Sequence, residues 1–167
     1  FLQQIGLLWE QSLQNAINAG IVVTTLRFGV VLKRGEGMLK KLEMPFRLGL
    51  GSILGTGKQD LSWVYYKDLV SAIDFLINNP QVSGPINITS PYPVTQQELA
   101  QQLAKVLKRP LILKTPELVI KLMFGEMGEY LLLKGQKVQP KRLAELGFQF
   151  TFPKIESVLA EEFQYRP

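Results

Sequence analysis

One stretch, residues 55–69, combines a glycine turn, aromatic side chains and an acid, and its residue types are those that could do chemistry. Gly55 and Gly57 permit a tight turn and a close approach of the backbone to a ligand. Trp63 and Tyr65 alternate along a short predicted strand, so both point to the same side of it. Packing against the following helix and forming the wall of a ligand site are both open for this pair.

Asp68 follows that strand at the point where a helical pattern begins. An aspartate at this position accepts hydrogen bonds from the free amides of the first helical turn. We therefore predict that Asp68 caps the helix starting at Leu69 and takes no part in catalysis. Arg47 and Lys58 could supply positive charge to an anionic ligand, although a surface role is more typical of each.

The composition removes several kinds of chemistry. The chain has 167 residues with neither histidine nor cysteine. Histidine is the commonest general base and zinc ligand, and cysteine supplies thiolates and disulfides. We therefore name no catalytic residue and expect no metal site.

Net charge and hydropathy indicate which kinds of partner this protein could bind. The net charge is +5, but the basic residues are spread along the chain, which favours a solvated surface over a nucleic-acid site. No apolar run approaches the length of a membrane span, and no signal peptide is visible. We expect a cytoplasmic protein with neither nucleic acid nor membrane as a partner.

The elements around the stretch alternate between helix and strand. A helix with Trp9 on its apolar side ends at Gly20, and residues 21–32 read as a strand buried on both faces, typical of a parallel sheet. Residues 38–48 predict a short helix, 61–66 and 86–89 two strands, and Thr95 with Glu98 a capping box. Beyond residue 116 we expect helices, interrupted by a strand in which Phe148, Phe150 and Phe152 alternate.

The order of these motifs resembles the C-terminal half of extended short-chain dehydrogenases/reductases. The nearest branch is the epimerase family, of the NAD-dependent epimerase/dehydratase type. The motifs that carry the resemblance are WEQSLQNA at 9–16, PFRLGLG at 45–51, SWVYYKDL at 62–69, NITSPYPVT at 87–95 and GEMGEYLLLKGQKVQPKRLAELGF at 125–148.

The resemblance implies an α/β fold: the C-terminal part of a Rossmann-like, doubly wound parallel sheet, plus a small, mainly helical C-terminal domain. Residues 1–32 and 61–89 would belong to the Rossmann-like core, 33–60 to a glycine-rich pocket segment, and 90–167 to the small domain. No glycine-rich dinucleotide fingerprint follows a strand in this sequence. We therefore expect NAD(P) to bind the intact protein, through a half outside these residues, and to bind this chain alone poorly.

The resemblance also assigns site residues. Cofactor contacts would come from the end of the first strand, at Arg27, Phe28, Gly29 and Val30. Contacts to an unknown small-molecule substrate would come from Met38, Phe46, Gln59, Ser62, Trp63 and Tyr65.

Two departures from the family pattern leave the function open. Leu61 stands where nucleotide-sugar enzymes carry a diphosphate-binding arginine, and no Tyr-x-x-x-Lys occurs before residue 27. The substrate-side portion of an NAD(P)-binding epimerase or reductase is one interpretation. The other is a non-catalytic binding or regulatory protein on a degraded reductase scaffold. In either case we expect copies to associate through an unpaired sheet edge.

Overall fold

The computed structural model describes residues 2–118 and 135–163. Its helices are α1 (Leu2–Gln11), α2 (Gln14–Asn18), α3 (Gly37–Arg47), α4 (Tyr66–Ile77), α5 (Gln96–Leu107), α6 (Lys141–Glu145) and α7 (Ile155–Phe163). Its strands are β1 (Thr24–Phe28), β2 (Val30–Leu32), β3 (Ser52–Leu54), β4 (Asp60–Leu61), β5 (Trp63–Tyr65), β6 (Gly84–Ile88), β7 (Val94–Thr95) and β8 (Leu113–Thr115).

The strands pair mainly in parallel, as the apolar run of residues 21–32 predicts. That run forms β1 and β2, which are separated at Gly29. β1 pairs in parallel with β6, and β2 pairs in parallel with β5. β3 and β8 form a further parallel pair, whereas β4 and β7 are antiparallel.

The prediction that residues 21–32 are buried on both faces was wrong. Arg27 and Phe28 at the end of β1 are exposed, and its other residues are only partly buried. Among the described residues β1 pairs with β6 alone, so its second edge carries no partner strand. Apolar composition alone reports a preference for burial, whereas actual burial depends on which elements cover the strand.

The core consists of two hydrophobic clusters on opposite sides of β5. Trp63 and Tyr65 lie in one cluster with residues of α3, α5 and α7. Val64 lies in the other, with Ala72 and Leu76 of α4 and residues of β6 and α6. The alternation of the strand is therefore confirmed. Ala72 and Leu76 of α4 pack with Val64, whereas Tyr66 at the start of α4 packs against Tyr65.

Local signals at helix ends place several elements correctly. The Thr95 hydroxyl accepts the amide of Glu98 over 3.2 Å, and the Glu98 carboxylate accepts the amide of Thr95 over 2.7 Å. This is the predicted capping box at the start of α5. Gly20 and Gly147 follow helices with φ of 79° and 88°, a left-handed conformation that glycine adopts without strain.

Three predictions of local structure were wrong. Trp9 is 73% exposed, so it is no core residue among the described elements. α4 begins at Tyr66, and no side chain caps it. Phe148, Phe150 and Phe152 form no strand; the first two pack in the α4 cluster, and Phe152 packs in the cluster of Tyr65. The apolar alternation of these three residues therefore reflects packing in two different hydrophobic clusters, and not a strand. The helices predicted near the C-terminus are present as α6 and α7, whereas the helical pattern predicted within residues 119–134 lies outside the described residues.

Candidate functional site

The carboxyl end of the β1–β6 pair is the place where an open α/β sheet binds ligands. Phe28 pairs with Ile88 there, and its side chain is 52% exposed. Four residues beyond the end of β6, Tyr92 is 56% exposed. One solvent-facing aromatic ring, Phe28, thus lies at the end of β1, and a second, Tyr92, follows the end of β6. Exposed aromatic rings suit contact with a flat ligand.

Gly29 joins two different strand pairings. Its amide donates to the carbonyl of Ile88 over 3.2 Å, and the next amide, of Val30, donates to the carbonyl of Ser62 over 2.8 Å. A Cβ added at Gly29 would lie 2.8 Å from that Ser62 oxygen. The absence of a side chain here is therefore required by the chain's own backbone. A role for Gly29 and Val30 in cofactor contact stays a prediction.

Arg27 forms a bidentate ion pair with Glu10 of α1. Its Nε and Nη2 atoms donate to the two carboxylate oxygens, each over 2.7 Å. This fork geometry is the strong form of an arginine–carboxylate pair. The half-exposed pair ties α1 to the end of β1, so the Arg27 guanidinium is occupied within the chain. Its predicted contact with a cofactor is not tested.

Three of the six predicted substrate residues lie in the core. Phe46, Trp63 and Tyr65 are at most 2% exposed, and Met38 packs partly buried against the same cluster. The indole of Trp63 donates to the carbonyl of Tyr92 over 3.1 Å. These side chains support the site from beneath, and none of the three presents an open face to a ligand.

Tyr65 donates its hydroxyl to the carboxylate of Glu162 in α7 over 2.6 Å. Burial, together with that hydrogen bond and the charge of Glu162, holds the pKa of Tyr65 far above its ordinary value. A tyrosine in this state is a poor proton donor to a reaction at neutral pH. Its position in the site is therefore that of a packing and anchoring residue.

Ser62 and Gln59 lie beneath the segment formed by residues 135–138. The Ser62 hydroxyl donates to the carbonyl of Gln136 over 2.6 Å and accepts the amide of Val138 over 2.8 Å. The Asp60 carbonyl accepts the Gln136 amide over 3.2 Å. The Gln59 side-chain amide donates to the carbonyl of Leu54 over 3.0 Å.

Residues 135–138 therefore cover β4 closely. A Cβ at Gly135 would clash with the backbone of Asp60, so glycine is needed for this approach. The Thr89 hydroxyl adds a hydrogen bond to the carbonyl of Val138 over 3.2 Å. Ser62 thus lies under a segment of the same chain, and Gln59 is hydrogen-bonded within the chain as well.

Asp68 was predicted as a helix cap, and this was wrong. Its carboxylate accepts the backbone amides of Thr151 and Phe152, each over 2.9 Å, and the residue is 1% exposed. The carboxylate thus fixes the chain leading into α7 against the first turn of α4. No local pattern indicates this partner, because 83 residues separate Asp68 from Thr151.

Charged residues that sequence reasoning did not single out anchor α7. Arg34 donates to Glu43 over 3.0 Å, and its backbone amide donates to Glu162 over the same distance. Burial opposes ionisation of Glu43, but hydrogen bonds from Arg34 and Arg47 outweigh it and leave the pKa of Glu43 below its usual value. Lys67 donates to Glu161 over 2.6 Å, and this hydrogen bond raises the pKa of Lys67.

An open groove of about 460 Å³ lies at the opposite end of β1. Its lining is mostly aliphatic and contains none of the predicted site residues: Val22, Thr24, Leu26, Ile73, Leu76, Ile77, Pro80 and Val82. Within residues 2–118 and 135–163, no group of three or more acidic side chains could hold a metal ion. No helix in this part of the chain is long and apolar enough to cross a membrane.

Comparison with known proteins adds three relationships. Residues 115–162 match the family described as a domain of unknown function, DUF1731. An epimerase family protein of Mycobacterium tuberculosis is 39% identical over 159 residues, which are 95% of this chain and 53% of the relative. An epimerase family protein of Staphylococcus aureus is 36% identical over 161 residues, or 96% and 53% of the two chains. The chain thus spans about half the length of these curated relatives.

A solved structure has the same fold. The crystal structure of human epimerase family protein SDR39U1 (isoform 2) with NADPH matches with a TM-score of 0.81 and 34% identity, over 86% of this chain and 48% of that one. These findings confirm the resemblance read from the motifs and the Rossmann-like α/β fold class.

Proposed function

Since this chain is 36–39% identical to epimerase family proteins, we propose that it is the substrate-side portion of an NAD(P)-binding epimerase- or reductase-like protein. The observation that carries the proposal is the likeness to the human family member solved with NADPH, at 34% identity. The dinucleotide would be held largely by a half outside these residues. A cytoplasmic location and a small-molecule substrate belong to the same proposal.

Phe28 is the residue of this chain that best fits a nicotinamide cofactor. It lies at the carboxyl end of a parallel strand with half of its side chain exposed. An exposed aromatic ring can pack on a flat heterocycle and exclude water from it. When bound, the nicotinamide would supply hydride transfer. The chain's own contribution would be to orient the ring and to shield it from solvent.

Titration of the whole protein with NADPH tests this proposal. We expect Phe28→Ala to weaken binding about tenfold, since loss of an aromatic contact costs about 1.4 kcal/mol. Ile77→Ala is the matched control, because Ile77 is an exposed apolar residue in the groove at the other end of β1. Failure of the whole protein to bind either NADH or NADPH would overturn the proposal.

The second function is a non-catalytic binding protein on the same scaffold. The hydrogen bonds of Ser62 and Tyr65 favour it, because both hydroxyls are already bound within the chain. Neither is then free to act on a substrate in this conformation. Tight NADPH binding by the whole protein without oxidation of the cofactor, across a panel of carbonyl compounds and sugar nucleotides, would favour this function.

Association of copies through the free edge of β1 remains a proposal. Among the described residues this edge has unpaired backbone groups, which favour the addition of another strand. Light scattering on the 167-residue chain should show dimers or larger species. A monodisperse monomer would contradict the proposal.

A further inference from the structure

One edge of the molecule combines exposed aliphatic side chains with basic ones. It lies where β3 and β8 begin side by side, with Ser52 opposite Leu113. α3 and α5 end just before these strands, and they contact one another. We call this surface the basic–aliphatic edge. Its exposed members are Lys41, Met44, Arg47, Leu48, Leu50, Lys105, Lys108, Arg109, Ile112, Leu113 and Lys114.

The aliphatic residues of this edge project into solvent. Ile112 is 81% exposed and Leu48 66% exposed, and Met44, Leu50 and Leu113 are exposed as well. Single exposed aliphatic residues are ordinary on a protein surface. Five of them lie on adjoining segments, and clustered exposed apolar residues mark sites of interaction with proteins or membranes.

The charge of the edge is strongly positive. Glu43 of α3 is already paired with Arg34 and Arg47, at 3.0 and 2.9 Å. Cations near the ends of α3 and α5 stabilise the helix dipoles, which explains one residue at each end. The helix dipoles do not explain the additional positive charges of Lys108, Arg109 and Lys114.

Lys108 occupies an unusual backbone position for a lysine. It ends α5 in the left-handed conformation with φ of 53°, where glycine is the ordinary residue. A lysine at this position is conformationally unfavourable. Lys108 is exposed, as are Arg109 and Ile112, which follow it closely in the chain.

We propose that the basic–aliphatic edge binds the surface of an anionic phospholipid membrane. Lysine and arginine side chains would contact lipid phosphates, and the aliphatic side chains would enter the boundary between headgroups and acyl chains. This proposal departs from the expectation of no membrane partner, which rested on the lack of an apolar run long enough to span a membrane. Peripheral contact requires only this mixed surface, and it is independent of the proposed dinucleotide chemistry.

Two other occupants fit the edge less well. A second copy of the same surface would bring like charges together, which opposes a two-fold contact. Single-stranded nucleic acid is bound through basic residues together with aromatic rings that stack on bases. The residues of the edge include no aromatic side chain.

Co-sedimentation of the whole protein with lipid vesicles tests the proposal. We expect binding to vesicles of phosphatidylcholine mixed with phosphatidylglycerol, weakening as salt is added, and little binding to pure phosphatidylcholine. The double variant Lys108→Gln/Arg109→Gln should bind about 25-fold more weakly, at about fivefold per charge. Ile112→Ser should bind about tenfold more weakly, because its apolar contact is lost.

Matched controls lie away from the edge. Lys154→Gln removes an exposed charge and Ile77→Ser an exposed aliphatic residue elsewhere, and both should bind as the parent protein does. Circular dichroism should show all variants folded, because every substituted side chain is exposed. Absence of binding to the anionic vesicles at low salt would overturn the proposal. So would sensitivity to charge without sensitivity to Ile112, which would indicate an acidic protein partner.

Discussion

Tyr65 and Glu162 join the central strand β5 to the last helix, α7, through a 2.6 Å hydrogen bond across 97 residues of sequence. Tyr65 is 1% exposed, so its hydroxyl has exchanged water for a carboxylate. The bond therefore makes the position of α7 depend on the site strand itself.

We expect Tyr65→Phe to lower the free energy of unfolding at neutral pH by roughly 2 kcal/mol, because a hydrogen bond to a charged group is lost. Urea denaturation followed by circular dichroism measures this change. Tyr92→Phe is the matched control, since Tyr92 is exposed and should change stability little.

The same hydrogen bond predicts sensitivity to alkali. Burial and Glu162 raise the pKa of Tyr65 above its ordinary value of 10.0. The folded state therefore holds this proton more tightly than the unfolded state. Its contribution to stability is complete below about pH 10 and falls as the pH rises towards the folded pKa. Tyr65→Phe should reduce this loss of stability. If the unfolding free energy of Tyr65→Phe falls above about pH 10 as steeply as that of the parent protein, the prediction is wrong.

Asp68→Asn should destabilise the protein by roughly 2–4 kcal/mol. The carboxylate accepts two backbone amides, and a neutral side-chain amide cannot replace both charge-assisted bonds. Asp74→Asn, an exposed change on the same helix, should have a small effect. Hydrogen exchange at Thr151 and Phe152 distinguishes this role from capping. Unchanged protection of these two amides in Asp68→Asn would show that the Asp68 carboxylate does not hold them.

Gly29→Ala should destabilise the protein by roughly 1–3 kcal/mol, because the new methyl group would meet the backbone of Ser62. Gly6→Ala is a control of opposite sign. A Cβ at Gly6 of α1 meets nothing within 4 Å, and alanine favours a helix by up to about 1 kcal/mol. Thermal unfolding of both variants makes the comparison. An increase in stability for Gly29→Ala would refute the close approach.

Ser62→Ala should loosen the 135–138 segment. It removes an acceptor for the amide of Val138 and a donor to the carbonyl of Gln136. We expect a loss of roughly 1–2 kcal/mol and faster hydrogen exchange at Val138. Ser71→Ala, on the exposed face of α4, should alter neither quantity. Equal exchange rates at Val138 in both variants would count against the role of Ser62.

The strand at residues 21–32 could be located from sequence, but the state of its side chains could not. The family resemblance assigned cofactor contacts to the end of β1, and Phe28 is exposed there although the run was expected to be buried. The same reasoning treated Trp63, Tyr65 and Ser62 as parts of a ligand wall. In the structure two are buried, and Ser62 is covered by Gln136 and Val138. These outcomes depend on segments distant in the chain.

The sequence by itself determined the features that arise within a few residues. The capping box of Thr95 and Glu98, the helix over residues 37–47 and the alternation of Trp63, Val64 and Tyr65 follow from local backbone geometry. The tertiary structure alone decided the partner of Asp68, the exposure of Trp9 and the covering of Ser62. The reason is physical: a hydrogen bond or buried contact between distant segments depends on how whole elements pack, and the local pattern carries no record of it.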